Sequence, residues 1–246
     1  MPAARLDIIL PIMSRKKELR IGYIVDEFPS PTETFIANEI RELQKNGAHV
    51  IVFALREGEG HNGPDCPVYY RRTSSAGQVV KNWRARIKAV QRVLQLDWRS
   101  PVQMGFALRN VATAIHFARL SQREHIQHIH GQFAFTPTDI ALIMADLTNT
   151  GASFAAHAWD VYAAGRALPT KLRAAKLCIT CTRAARRRIV SSVGPTDSHK
   201  VICVHHGTDL QNFDFAPRYA PAAPPTIVAI GRLVRKKGFL TLLYAL

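Results

Sequence analysis

The sequence predicts an α/β fold: a parallel sheet with helices on both faces. Two observations predict it. Short apolar runs alternate along the chain with helical patterns, and that alternation argues for right-handed βαβ units. The runs themselves, such as RIGYIVD and AHVIVFAL, are apolar almost throughout, as strands covered on both faces are. Such a sheet places its binding site at the carboxyl ends of its strands.

The elements follow in order. Residues 1–19 form a poorly specified leader, and a first domain covers 20–214. RIGYIVD (20–26) reads as a strand. TETFIANEIRELQKNG (32–47) reads as a helix, with Phe35, Ile36, Ile40 and Leu43 on one side and Gly47 as its stop. AHVIVFAL (48–55) is a strand, REGEGHNGPDCP (56–67) a polar loop and VYY (68–70) a short strand. A helix is expected over 79–99. Trp83, Ile87, Val90 and Leu94 form its apolar stripe, and Arg84, Lys88 and Arg92 line another face. A second helix spans about 101–121. Then come a strand IQHIHG (126–131), a helix over 136–148 and a strand SFAAHA (153–158). LCITCT (177–182) is a strand, RAARRRIVSS a helix and KVICVHHG (200–207) a strand. Residues 215–225 read as a proline-rich linker. TIVAIGR (226–232) is expected to be a strand, LVRKKG its turn and FLTLLYAL a helix. About twenty residues cannot bury a core of their own. Residues 226–246 are therefore expected to open a second, incomplete α/β domain.

The chain has 246 residues and a net charge of +15. Between Arg71 and Arg123 there are eleven Lys/Arg and one acid, Asp97. Such a field attracts polyanions: nucleic acid, anionic lipid or phosphorylated substrates. The apolar run LDIILPIM is too short to span a bilayer and is broken by Pro11. It lacks a small-residue cleavage site in the right place, and the four cysteines show no disulfide framework. The expectation is a cytoplasmic protein.

Several motifs carry chemistry or imitate it. In CITC, Cys178 and Cys181 have CxxC spacing, but strand alternation points them to opposite faces. His128 and His130 share one strand face, yet no third ligand stands at metal spacing. No Asp-x-Asp pair occurs, so nothing offers a carboxylate clamp for a metal, and no metal is expected. His157 ends an apolar strand at the expected site edge, where a structural histidine competes with a functional one. In GRLVRKKG, Arg232 and Lys237 can reach a diphosphate beside helix N–H donors, although a basic turn is more often solvated surface and the motif alone is weak. RAARRR puts cations at a helix N-terminus, against the macrodipole. EFPSPTETF (27–35) follows the first strand without a single glycine, which disfavours a nicotinamide-binding loop. Its Ser30, Pro31 and Glu33 fit a capping box with proline at the first helical position.

Taken in order, FPSPTETFIANEI (28–40), HIHGQFAFTPTDIALI (128–143), AHAWDVY (156–162), CIT-CT (178–182), VHHGTDLQNF (204–213) and AIGRLVRKKGF (229–239) resemble the retaining glycosyltransferases of the GT-B fold. The resemblance is to the group 1 or family 4 class, in its exopolysaccharide and colanic-acid branch. It implies two Rossmann-like domains facing across a cleft, the first for the acceptor and the second for a nucleotide sugar. It implies that Glu33, Thr34, Phe35, His130, Asp160, Gly207 and Asp209 lie on the acceptor side or in the cleft. His157 would face the reacting sugar, and Gly231, Arg232 and Lys237 would grip the leaving diphosphate. The co-substrate would be a nucleotide sugar, the acceptor a glycan or lipid-linked glycan, and no cofactor or metal would be required. Three departures stand out: Gln132 where the family often has histidine, Arg183 where an acidic or polar residue is usual, and no glutamate pair of the second domain before the sequence ends. The chain as given is thus expected to be incomplete and inactive alone. Docking of the basic 79–99 helix on an anionic inner-membrane face combines with this reading. The alternative is a basic Rossmann-like module that binds nucleic acid or membrane without catalysis, but no nucleic-acid motif is present.

Overall fold

The computed structural model describes residues 19–60, 63–71, 87, 91–92, 101–162, 168–208, 210 and 226–246, with backbone alone over 101–108. Seven strands form one sheet: β1 (Arg20–Phe28), β2 (His49–Glu57), β3 (Val68–Tyr70), β4 (His128–Gly131), β5 (Gly151–Ala156), β6 (Leu177–Thr180) and β7 (Val201–Cys203). Their order is β3-β2-β1-β4-β5-β6-β7, and every pairing is parallel. Helices bounded within the described residues are α1 (Thr34–Lys45), α2 (Pro101–Arg123), α3 (Thr136–Thr148), α4 (Ala158–Tyr162), α5 (Leu168–Ala174), α6 (Arg183–Ser192), α7 (Pro195–Ser198) and α8 (Phe239–Tyr244). The α/β class is as expected from the sequence.

Strand alternation explains why the apolar runs are continuous. In β1 and β2, Ile21, Tyr23, Val25, Val50, Val52 and Ala54 pack with Ile36 and Ile40 of α1 on one face. Ile24, Ile51, Phe53 and Leu55 pack on the other, with Phe117 of α2 and Ile140 of α3. Both faces are therefore buried, and every second residue has a core of its own. The Phe53 and Phe117 rings sit 5.2 Å apart, both fully buried. Gly22 faces the Phe53 ring, where a Cβ would stand 3.0 Å from Cε2. α1 stops where expected, because Gly47 takes a left-handed φ of 85°.

The sheet order reverses between β1 and β4. The chain runs outward from β1 to β3, then returns to lay β4 on β1's other side. The carboxyl ends of β1 and β4 thus flank the crevice where open α/β sheets bind ligands.

Several expectations need correction. The capping box fails: α1 begins at Thr34, and Glu33 at its N-cap makes no side-chain cap hydrogen bond. The turn is held by other bonds instead. Gly58 N–H donates to the Phe28 carbonyl at 3.1 Å, and Gly60 N–H to the Pro29 carbonyl at 3.0 Å. The strands expected to run to 158, 182 and 207 end at 156, 180 and 203.

Residues Met1–Thr208 and Asp209–Leu246 form two separate compact units. In the second, no strand forms over 226–232, where one was expected. A parallel strand needs a neighbour for its N–H and C=O groups, and here Ile227, Val228 and Ile230 are exposed. The expected helix does form, as the short α8. The leader through residue 18 and the linker at 215–225 lie outside the described residues, as does the 79–99 helix except Ile87, Gln91 and Arg92. Of its basic stripe only Arg92 is described. Its Nε bonds Asp146 of α3 at 2.9 Å, with both side chains about one-fifth exposed. No described helix is long and apolar enough to cross a membrane.

Candidate active site

Residues from β1, α1, β4, β5, β6 and β7 meet at the carboxyl edge of the first unit. An open cleft of about 620 Å³ lies at the β1–α1 turn. Glu27, Pro29, Glu33, Thr34, Arg41 and Glu59 are among its lining residues. It is predominantly acidic. Burial raises the Glu33 carboxyl above its usual range, with Asp26 and Glu27 pushing the same way and Arg56 opposing them. The turn that walls this cleft contains no glycine, but the loop behind it supplies two. A Cβ on Gly58 would stand 2.1 Å from the Pro29 carbonyl oxygen, and one on Gly60 would stand 2.8 Å from it. The glycines needed for close backbone approach are thus in REGEGHNG rather than in EFPSPTETF.

Phe35 turns away from the cleft into a ring cluster. Its ring lies 4.4 Å from His206, 5.1 Å from His157 and 6.3 Å from Phe133. His157 lies 4.8 Å from Phe133 and 5.3 Å from His206. It follows β5 directly and opens α4, where its backbone N–H donates to Asp160 Oδ2 at 2.7 Å. Burial, and His206 after it, depress the His157 imidazole to about 4. The ring is therefore neutral at neutral pH.

A polar chain reaches His157 from beneath the sheet edge. Tyr23 Oη donates to Glu39 Oε1 at 2.8 Å, and Gln132 Nε2 donates to Glu39 Oε2 at 3.0 Å. Gln132 Oε1 then faces His157 Nε2 at 3.5 Å. A carboxylate can only accept, so the Gln132 amide must turn its NH₂ toward Glu39 and its oxygen toward His157. That oxygen in turn favours the tautomer with the proton on Nε2 and leaves Nδ1 with its lone pair. Burial raises the Glu39 carboxyl, and the two hydrogen bonds oppose the rise.

The other sequence-derived candidates are placed as follows. Glu33 and Thr34 line the cleft. His130 does not reach it: it is 3% exposed, packs 5.0 Å from the Tyr23 ring and bonds Ser153 Oγ through Nδ1 at 2.7 Å. The same hydroxyl meets His128 Nε2 at 2.7 Å. Burial, then His128 and His157, push the His130 imidazole down to about 3. Asp160 is 2% exposed and serves the backbone of His157 rather than an open surface. Gly207 is exposed, with nothing within 4 Å of where its Cβ would be. Asp209 lies outside the described residues. Gly231, Arg232 and Lys237 belong to the second unit. There Gly231 packs against the stem of Lys237, with Cδ at 3.5 Å from its virtual Cβ, and all three residues are exposed. Residues 226–246 contain no acid, so the loop presents cations alone.

Sequence reasoning missed one grouping. Potential ligand atoms of His157, Cys181 and His206 all lie within 4.8 Å of one another. The three residues are 24 and 25 positions apart, and only the adjacency of β5, β6 and β7 brings them together. Each stands just past the end of its strand, so alternation along β6 does not govern Cys181. Cys178, three residues earlier, is fully buried.

Neither a family model nor a curated protein sequence matches the chain. Solved structures do. The chain is similar to Anabaena HepE in complex with UDP-glucose, at 13% identity and TM-score 0.51 over 81% of this chain and 47% of that one. It also matches a glycosyltransferase from Rickettsia africae at 12% identity and TM-score 0.49, over 80% and 45% of the two chains. A UDP-GlcNAc 2-epimerase from Methanocaldococcus jannaschii matches at 10% identity and TM-score 0.43, over 76% and 45%. The chain thus spans about half the length of these neighbours. At such identity the HepE likeness establishes a shared fold alone, a Rossmann-like parallel α/β sheet.

Proposed function

We propose that the protein is a glycosyltransferase that transfers a hexose from a nucleotide sugar to a glycan or lipid-linked acceptor, with retention, in polysaccharide biosynthesis. One observation carries the reading. A neutral His157, anchored by Asp160 and Gln132, stands beside the strand-order reversal of a sheet that shares its fold with HepE, a protein whose structure holds UDP-glucose. In this reading the chain supplies an acceptor-side domain and the opening of a donor-side one.

The residue types suit the chemistry. Glycosyl transfer passes through an oxocarbenium-like transition state while negative charge grows on the leaving diphosphate. Fixed donors and cations aimed at that charge lower the barrier, by about 3–4 kcal/mol for a single well-placed donor. Arg232 and Lys237 supply the cations, and Gly231 leaves the backbone open to the phosphate. His157 hydrogen-bonds the reacting sugar. The acidic cleft at Glu33 suits a hydroxyl-rich acceptor, since carboxylates accept from hydroxyls and repel a diphosphate. The reaction takes place at the cytoplasmic membrane face, with 79–99 as the membrane-facing segment.

The test uses the protein expressed from its complete reading frame. Nucleotide release is measured with UDP- and GDP-hexoses and polyprenyl-diphosphate-linked glycans. Acceptor-dependent release with at least one donor is expected, falling about 100-fold or more in His157→Ala with an unchanged circular dichroism spectrum. No release with any hexose donor would overturn the activity, and full-rate release by His157→Ala would overturn the histidine's role.

A further inference from the structure

We propose that His157, Cys181 and His206 form a site for a borderline-soft divalent cation of the zinc type. Three adjacent strands each deliver one ligand at the carboxyl edge: His157 after β5, Cys181 after β6 and His206 beyond β7. Two imidazoles and a thiol are a donor set that such an ion takes, with a fourth position left to solvent or ligand. The ligand atoms fall within 4.8 Å of one another. Around a tetrahedral ion the corresponding separations are about 3.3–3.7 Å. Closing the set therefore takes movements of about 1 Å, which the exposed His206 side chain can supply.

The surroundings support ligation. Gln132 Oε1 faces His157 Nε2 at 3.5 Å, so Nδ1 would be the nitrogen that ligates. A ligating histidine commonly donates its other N–H to such an acceptor. His205 Nδ1–H donates to the Cys181 carbonyl at 2.9 Å, tying the His205–His206 segment to the thiol's own backbone. Phe35 packs on both imidazoles and Phe133 on that of His157, giving the site an apolar flank. Binding deprotonates the Cys181 thiol and releases that proton to solvent. It also removes Nδ1 of His157 from any other chemistry, so the occupied site and the sugar-facing role proposed above exclude each other. The site itself does not depend on that role.

Cobalt(II) titration of the 246-residue chain tests this directly. A thiolate-to-cobalt charge-transfer band should grow and saturate at one equivalent, and zinc should abolish it. Cys181→Ser should eliminate the band, and His206→Ala should weaken cobalt binding at least tenfold. Cys66→Ser and Cys203→Ser should retain both band and affinity. Absence of the band at one equivalent overturns the site, as does its persistence in Cys181→Ser or its loss in Cys203→Ser. Glycosyl transfer is assayed separately, with a chelator present. Failure there leaves the cobalt result standing, and a missing band leaves the transferase reading standing.

Discussion

Gly58→Ala should loosen the turn that walls the acidic cleft. The added Cβ would stand 2.1 Å from the Pro29 carbonyl oxygen, 2.9 Å from Glu27 Cγ and 3.0 Å from the Pro29 carbonyl carbon. Relief requires a retreat of about 1 Å, because carbon–oxygen contacts below about 3 Å are strongly repulsive. Pro29 cannot easily give way. Gly60 N–H holds its carbonyl, while the Phe28 carbonyl accepts from both Gly58 N–H and Tyr70 Oη at 3.1 Å. The loop must therefore lift and lose the Gly58 and Gly60 bonds, at about 0.5–1.5 kcal/mol each. With residual strain the cost is about 2–3 kcal/mol, or a urea midpoint lower by about 1 M at ordinary slopes. Gly63→Ala is the control. Its Cβ would meet Pro29 Cβ at 3.5 Å, an ordinary contact, and should be close to neutral. Urea unfolding gives the magnitude, and amide exchange at residues 58 and 60 gives its location. If Gly58→Ala matched Gly63→Ala in stability and kept both amides protected, the turn would not be held as described.

Three further outcomes are expected. Arg232→Ala in the complete protein should lower kcat/KM by about 100-fold or more, since its charge would be missed chiefly as the diphosphate leaves; loss in KM alone would assign it to ground-state binding. The pH dependence of stability should show His130. Its folded imidazole titrates at about 3 against about 6.5 unfolded, so the unfolded chain binds the extra proton. The His130 contribution is full above pH 6.5 and falls by about 1.4 kcal/mol per pH unit below it, down to about pH 3, read as the difference between the profiles of the parent and His130→Gln. A flat difference from pH 6.5 to 4, in chelator, would contradict the burial assigned to His130. Lys171, 6% exposed, bonds Asp139 at 2.7 Å and the Ala134 carbonyl at 2.6 Å. Lys171→Met alone should cost about 3–5 kcal/mol by stranding the carboxylate. Lys171→Met with Asp139→Leu should recover most of that in a double-mutant cycle; strict additivity would argue against a coupled pair.

The sheet was legible because burial on both faces writes itself into the sequence as unbroken apolar runs. RIGYIVD and AHVIVFAL could hardly be read otherwise. Strand ends were less legible. HAWD, CT and HHG follow apolar runs without a break, yet the ladder stops before each of them, and histidine, cysteine and threonine carry no stop signal comparable to the glycine at Gly47. The short helices α4, α5 and α7 went unread because four to seven residues hold too little periodicity. The capping box was misread for a different reason. Ser30 and Glu33 have the right spacing, but backbone bonds from Gly58 and Gly60 hold the turn away from helical geometry, and those donors lie about thirty residues downstream. Arg92 reads in the sequence as part of a basic helix face, because its partner Asp146 is 54 residues away. Local patterns predicted local structure; contacts made across the sheet had no local trace.

The same distinction explains Gln132. In the sequence it stands where the glycosyltransferases that the chain resembles often have histidine. In the fold it is fully buried between Glu39 and His157. A histidine there could also bridge a carboxylate and an imidazole, but its two nitrogens exchange donor and acceptor roles with tautomer and charge. A glutamine amide has no such freedom once one end faces a carboxylate: its oxygen must point the other way. Glu39, held by Tyr23, thus sets the amide, and the amide favours one tautomer of His157. The lone pair on Nδ1 is thus set by Tyr23 on β1, Glu39 on α1 and Gln132 just past β4. Tyr23 and Gln132 are buried at a desolvation cost that hydrogen bonding only offsets, and the return on it is the fixed orientation of one imidazole at the sheet's edge.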